Sequence, residues 1–298
     1  NKVDSSASRR AANPQNLVSG LAAQEPGVDV RTQSGEPGAS ADIKIRGGSS
    51  LSGTNQPLFV VDGVPIDNST SSTTGGQGST VSANRASDIN PDAIASVAIL
   101  KGSAAAAIYG ARAANGVVLI TTKSGHSGPT RYNFTTSTNV DNIDTGNLKL
   151  QTDYGQGSGG VTQVCTKPNC VMNSNSFGGK LAAGTPTYDH LNEIYNTGYT
   201  FDNNLSVSGG NDRTTFYASG GVTNQDGVLV GPQNKYNRAT FRLKGSEQVS
   251  STLRVGGNFN FIDTRGNYVQ KGSNVSGVLL GALRSPPNFN NLPYLNDL

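Results

Sequence analysis

Four groups of residues in this 298-residue chain have types that could do chemistry. Cys165 and Cys170 lie in CTKPNC, where Pro168-Asn169 favours a turn that can bring the thiols together. They read as a loop disulfide of an oxidising compartment or as two free thiols. A zinc site would need more ligands, and His190 is the one other candidate. Residues 155–160, GQGSGG, match G-x-G-x-x-G, but a dinucleotide site needs a strand before the motif and a helix after it. Neither pattern is present, so the motif reads as a loop. Asp141, Asp144 and Asp153 supply hard oxygen ligands without the spacing of a calcium loop, and turn chemistry accounts for them. His126 and His190 are isolated in the sequence, with no nucleophile–base spacing, so no cofactor, no metal and no enzyme is expected.

The elements that would position any site are therefore more informative. Charged residues make up 14% and the net charge is +3, with Lys and Arg scattered rather than gathered into a nucleic-acid-binding stripe. No apolar run is long enough for a transmembrane helix, which leaves open a barrel whose strands alternate apolar and polar residues.

Residues 57–125 organise the chain. Three Val/Ile-rich runs, 58–61, 97–100 and 117–122, are bounded by Gly, Pro or Asp and read as buried strands. Residues 103–109, with four consecutive alanines, read as a helix too short to stand without packing on them. Upstream, 14–23 has helical spacing, while 27–33 and 42–46 read as strands. Asn90-Pro91-Asp92 opens a short helical turn. The whole is a small α+β unit.

The pattern changes near residue 129. Of the ten Tyr and nine Phe, only Phe59 and Tyr109 precede Pro129. Five segments then alternate, with one apolar and one polar face: 131–140, 201–209, 215–223, 238–244 and 252–261. In the first, Tyr132, Phe134 and Val140 share one parity, while Arg131, Asn133 and Asn139 share the other. Strands of about ten residues with one apolar and one polar face suit a tilted membrane span. A soluble sandwich alternates similarly. Short connections at 209–212 and 245–251 alternate with long ones at 141–200 and 224–235, as in outer-membrane barrels.

With these residues in view, the chain resembles a known family. IRGGSSLSGTNQPLFVVDGVPI (45–66) and INPDAIASVAILKGSAAAAIYGARAANGVVLITTKSG (89–125) look like the plug signature of SusC/RagA-type TonB-dependent outer-membrane transporters. NLSVSGGNDRTTFYASGGVTNQDGV (204–228), YNRATFRLKGS (236–246) and LRSPPN (283–288) resemble the start of their barrel. The resemblance implies an α+β plug domain, residues 1–129, inside an antiparallel transmembrane β-barrel of about twenty-two strands. Residues 130–298 would be its first five strands and outer loops. Such a barrel takes about 220 residues in strands alone, so the chain is expected to be a piece of a longer protein. The resemblance also implies an outer-membrane location and import of an oligosaccharide or oligopeptide. The implied partners are TonB with its inner-membrane complex, a SusD-like surface lipoprotein, the ligand and membrane lipid, with no nucleic acid. A signalling receptor on the same scaffold and a secreted β-rich binding module are the alternatives.

The resemblance carries site expectations as well. Arg46 and Lys101 fall where family plugs hold basic residues that pair with acidic groups of the inner wall, expected here beyond Leu298. Gly47, Asp62, Gly63, Gly102, Tyr109 and Gly110 belong to the signature and are assigned structural roles, Asp62-Gly63 as a tight turn. Tyr188, Tyr195 and Tyr199 in the long first connection, with outward plug loops at 68–80, are candidate ligand contacts, with ordinary loop packing as the competing assignment.

Overall fold

The computed structural model describes residues 2–4, 26–32, 35–39, 41–47, 55–68, 79–80, 85–101, 103–162, 177–271 and 277–291. The expected helix at 14–23, Gly102, and Cys165 with Cys170 lie outside the described residues.

The first unit holds β1 (Lys2–Asp4), β2 (Val28–Thr32), β3 (Ala41–Ile45), β4 (Leu58–Val61), β5 (Val64–Ile66), β6 (Ser79–Thr80), β7 (Ile94–Leu100), α1 (Ser103–Tyr109) and β8 (Val117–Thr122). Its main sheet has the order β1-β7-β8-β4-β5, with β4 and β8 parallel and the other pairs antiparallel. The separate β2–β3 hairpin packs on one face through Ile43 and Ile45, joining Phe59, Ile94, Val97 and Ile120 in the larger core. On the other face α1 sets Ala105 against Val60 and Val117. A seven-residue helix holds only because that face is supplied by the strands. Its alanines let it approach closely, and with Phe59 and Val60 almost wholly buried β4 is covered on both sides.

Val61 pairs with Val64 across a two-residue turn, Asp62-Gly63, with φ of 48° and 88°. Both residues are left-handed, as a type I′ hairpin turn requires, and Asp-Gly is a preferred pair for it.

The second unit begins at β9 (Gly128–Asp141). The hairpin β10 (Gly157–Ser158) and β11 (Val161–Thr162) and the short helix α2 (His190–Glu193) lie in the long connection that follows. Then come β12 (Gly198–Gly210), β13 (Thr214–Asp226), β14 (Lys235–Gln248), β15 (Arg254–Asn267), β16 (Gln270–Lys271) and α3 (Val278–Arg284). The five long strands form one antiparallel sheet ordered β15-β14-β13-β12-β9. They run 13 or 14 residues, longer than the expected ten because pairing continues beyond the apolar positions at both ends. The motif at 155–160 sits at the β10–β11 hairpin, not in a strand–helix turn. β16 pairs with β6, tying the end of the second unit back to the first.

The polarity of this sheet is inverted relative to a water-soluble protein. One register row carries Phe134, Leu205, Gly220, Phe241 and Phe261, and the next Tyr132, Val207, Ala218, Leu243 and Phe259, all on the outward face. Phe134 is 65% exposed, Leu205 56% and Phe259 56%. The opposite face is polar, and on the three central strands β12, β13 and β14 much of it is buried, with Thr200, Asp202, Asn204, Thr223, Gln225, Arg238 and Arg242 each under a tenth exposed. So large a continuous apolar face does not suit water. It suits lipid, with the polar side turned to the lumen.

Candidate plug and wall interface

The polar inward rows meet the first unit in three clusters. The first is built on the Asp62-Gly63 turn. Its geometry points the Asp62 carboxylate at the end of β8, where it accepts the Thr122 backbone N–H at 2.9 Å and the Thr122 hydroxyl at 2.5 Å. From β14, Arg242 Nη2 donates to Asp62 Oδ2 at 2.5 Å and also to Thr122 Oγ1. Lys244 Nζ stands 3.7 Å from the same Oδ2. The pair is nearly dry, with the Arg242 side chain 7% exposed and that of Asp62 11%. Burial pushes the Asp62 carboxyl up, but the Thr122 hydrogen bonds and the Lys244 and Arg242 charges outweigh it and hold it below the ordinary aspartate value.

In the second cluster Arg238 clasps main-chain carbonyls. Its Nη1 donates to Ser87 O at 2.8 Å and Ile89 O at 3.5 Å, and its Nη2 to Thr223 Oγ1 at 3.1 Å. Tyr236 adds its hydroxyl to Ser87 O at 3.3 Å, and Thr264 donates to Asp88 at 3.1 Å. Burial pushes the Asp88 carboxyl up, only partly offset by Thr264, Arg85 and Arg238.

The third cluster is made of amides. Asn90 caps the turn Pro91–Ala93 with its oxygen while its Nδ2 donates to Asn204 Oδ1 at 2.6 Å and Thr240 Oγ1 at 3.2 Å. Asn204 Nδ2 in turn donates to Asp92 at 2.8 Å and Asp202 at 2.9 Å. Gly221 makes this possible, since a Cβ there would lie 2.1 Å from Asn204 Oδ1 and 2.7 Å from Asn90 Nδ2.

A cavity of about 490 Å³ opens beside the first cluster, bounded by Ile66, Asp88, Ile94, Ser219, Arg242 and Ile262.

The sequence-derived candidates are distributed differently. Arg46 is exposed at the end of β3 with φ of 59°, and Gly47 follows it in the same exposed turn. Lys101 donates to Pro26 O at 2.7 Å. Neither is brought to the wall contacts above. Tyr109 is half-buried against α1's core, and Gly110, with φ of 72°, ends that helix. Tyr188 stacks on His190 at 6.5 Å, Tyr195 bridges to Leu229, and Tyr199 stacks on Phe201 on the outward face. His190, isolated in the sequence, is buried and contacts Glu193, Asn291 and Pro286 O in the folded chain. Among the described residues no group of three or more His, Cys, Asp or Glu stands close enough to hold a metal.

The turn assignment for Asp62 is incomplete, because the same carboxylate is the anion of the wall contact. That contact is separate from the expected one, with its acid on the first unit and its bases on the sheet. Arg238, Arg242, Lys244 and Asn204 lie outside the sequence-derived candidates. Their signal was available: Arg238, Arg242 and Lys244 share one parity of β14, and cations on a face that becomes buried require partners.

The family profile of the TonB-dependent Receptor Plug Domain matches residues 3–117. TonB-dependent receptor SusC of Bacteroides thetaiotaomicron is 32% identical over 287 residues, covering 95% of this chain and 26% of its own length. TonB-dependent receptor P3 of Formosa agariphila is 30% identical over 239 residues, 79% of this chain and 20% of its own. The RagAB peptide importer in its open-open state superposes with a TM-score of 0.70 at 26% identity, over 97% of this chain and 33% of that chain. The siderophore receptor PirA from Acinetobacter baumannii shares the fold, with a TM-score of 0.53 at 16% identity, over 92% of this chain and 32% of that chain. The chain spans between a fifth and a third of the length of these relatives.

Proposed function

We propose that this chain, whose N-terminal plug domain is homologous to that of SusC/RagA-type TonB-dependent outer-membrane transporters, is the gate and first wall section of an importer of large nutrients. The plug runs to residue 129 and the wall from 130. The cargo class is an oligosaccharide or oligopeptide, TonB supplies the energy from the inner membrane, and a SusD-like lipoprotein is the surface partner.

The inverted polarity of the five-stranded sheet carries this proposal. An apolar outward face and a polar inward face clamped on the plug suit a wall between lipid and lumen, and they argue against a secreted, soluble binding module. The plug contacts suit gating. They are strong individually, yet each is a discrete hydrogen-bonded or ionic contact that a competing group can replace. Ligand arrival favours release only through contacts that differ between the docked and released plug.

Deletion of the full-length gene tests the proposal. Growth on one class of glycan or peptide should be lost and restored by the intact gene, with uptake abolished by an uncoupler. Unchanged growth on every class, or uptake insensitive to the uncoupler, would contradict it.

A further inference from the structure

The inward face of β14 bears Arg238, Arg242 and Lys244. Residues two apart on one face of a strand are about 6.8 Å apart, so Lys244 is the next rung after Arg242, while Arg238 stands about 13.6 Å from Arg242 with Thr240 between them. Opposite Arg238 across the register stand Thr223 and Thr264, opposite Arg242 stand Ser219 and Asn260, and opposite Lys244 stand Tyr217 and Asn258. None of these wall neighbours is acidic. On β12 the same inward face carries one carboxylate, Asp202.

Arg238 is held in part by the wall, through Thr223 Oγ1 and the charge of Asp202, and the plug supplies further partners. Asp62 takes Arg242 and Lys244, and the carbonyls of Ser87 and Ile89 take Arg238. One carboxylate thus serves two cations. Arg242 is 6% exposed, yet its Nε has no hydrogen-bond partner among the described residues, and its side chain borders the 490 Å³ cavity. A buried guanidinium with a spare donor beside a space of ligand size is set up for a further acceptor. A planar guanidinium takes an oxyanion in two-point geometry.

Plug displacement would remove Asp62, together with Asp67, Arg85 and Asp88 of the cavity lining. The wall would keep its three cations. We propose that Arg238, Arg242 and Lys244 form a cationic track that the plug masks at rest, and that the cargo is an anionic oligomer whose oxyanions take the place of Asp62 on Arg242. Asp62 is then a resident stand-in for cargo. Arrival of an anion weakens the ionic lock by competition, and the same cations guide the chain past the displaced plug. This deepens the import proposal and rests on it.

The test is calorimetric titration of the detergent-solubilised full-length protein at fixed ionic strength. The probes are a short oligoglutamate and the oligoglutamine of equal length. Oligoglutamate should bind the native protein and bind Asp62→Asn about tenfold tighter. Binding should fall about tenfold in Arg242→Gln and in Lys244→Gln, the latter the more exposed of the two side chains at 26%. Oligoglutamine should not distinguish the four proteins. Equal binding of both probes, absence of oligoglutamate binding, or oligoglutamate binding untouched by both cation substitutions would overturn the track. Uncoupler-sensitive uptake by cells tests import separately. Anion-selective binding without such uptake would fail the import proposal, while uptake without anion selectivity would fail the track alone.

Discussion

Asp62 and Arg242 lie 180 positions apart in sequence and meet at 2.5 Å in the folded chain, one on the plug and one on the wall. The meeting depends on two local features. A type I′ turn aims the carboxylate, and the β13–β14–β15 register brings Arg242 to the same level. Removing one member of a nearly buried pair leaves the other uncompensated.

Asp62→Asn should therefore weaken plug docking by about 3 kcal/mol, because Arg242 and Lys244 both lose their anion. Arg242→Gln should cost less, because Lys244 still faces Asp62. The double substitution should cost less than the sum of the two. Hydrogen exchange of the plug amides in the full-length protein measures all three.

The pH dependence follows from the same carboxylate. Asp62 is held below the ordinary 3.8, so its contribution is complete at neutral pH. That contribution declines as the pH falls from 3.8 through the lowered value. Plug protection in the native protein should drop over that acid range, and Asp62→Asn should flatten the drop.

Asp88 has the opposite sign. Its carboxyl is raised above 3.8, so holding it ionised in place costs stability as the pH climbs through that raised value. Asp88→Asn keeps an acceptor for Thr264 and should leave plug docking unchanged or firmer at neutral pH. The advantage should vanish below pH 3.8. A melting series across pH on the native protein and the variant decides it.

Gly221 and Gly220 are neighbours with opposite tolerances. A methyl at Gly221 meets Asn204 and Asn90, whereas at Gly220 its nearest contact is Thr240 O at 3.9 Å. Gly221→Ala should break the amide cluster and lower plug protection around Asn90, while Gly220→Ala should not. Hydrogen exchange localised to residues 85–94 distinguishes them.

The strands were legible because a period of two, with aromatic residues on one parity, is a local property. The inward parity of β14 was legible in the same way. Its partners were not, since joining Arg242 to Asp62 or Arg238 to Ser87 needs the docking of one unit on another. Asp62 reads locally as a turn residue because Asp-Gly explains itself, and a second role leaves no local mark. Tyr199 illustrates the same limit: position in a long connection suggested the ligand side, while its parity in β12 places it outward beside Phe201. His190 lacks sequence neighbours of interest but finds Asn291 through the packing of α2 with α3.

The outward face makes its own prediction. Leu243 lies between Ala218 and Phe259 on that face, 48% exposed. Leu243→Arg should cost about 2–4 kcal/mol of stability in a bilayer. A denaturant titration of the full-length protein folded into lipid vesicles reads the loss. An equal cost in detergent-free aqueous solution would point to a soluble fold.

The central claim is that the plug must leave this wall for cargo to pass. Cysteines replacing Asn90 and Asn204, whose side chains now touch, can be joined directly as a disulfide by a mild oxidant and freed by a reductant, in a background lacking Cys165 and Cys170. The measurement is energised uptake of the nutrient on which the deletion strain fails to grow. Disulfide-linked protein should not import it, and reduction of the link should restore import. Undiminished import with the link intact would contradict the account.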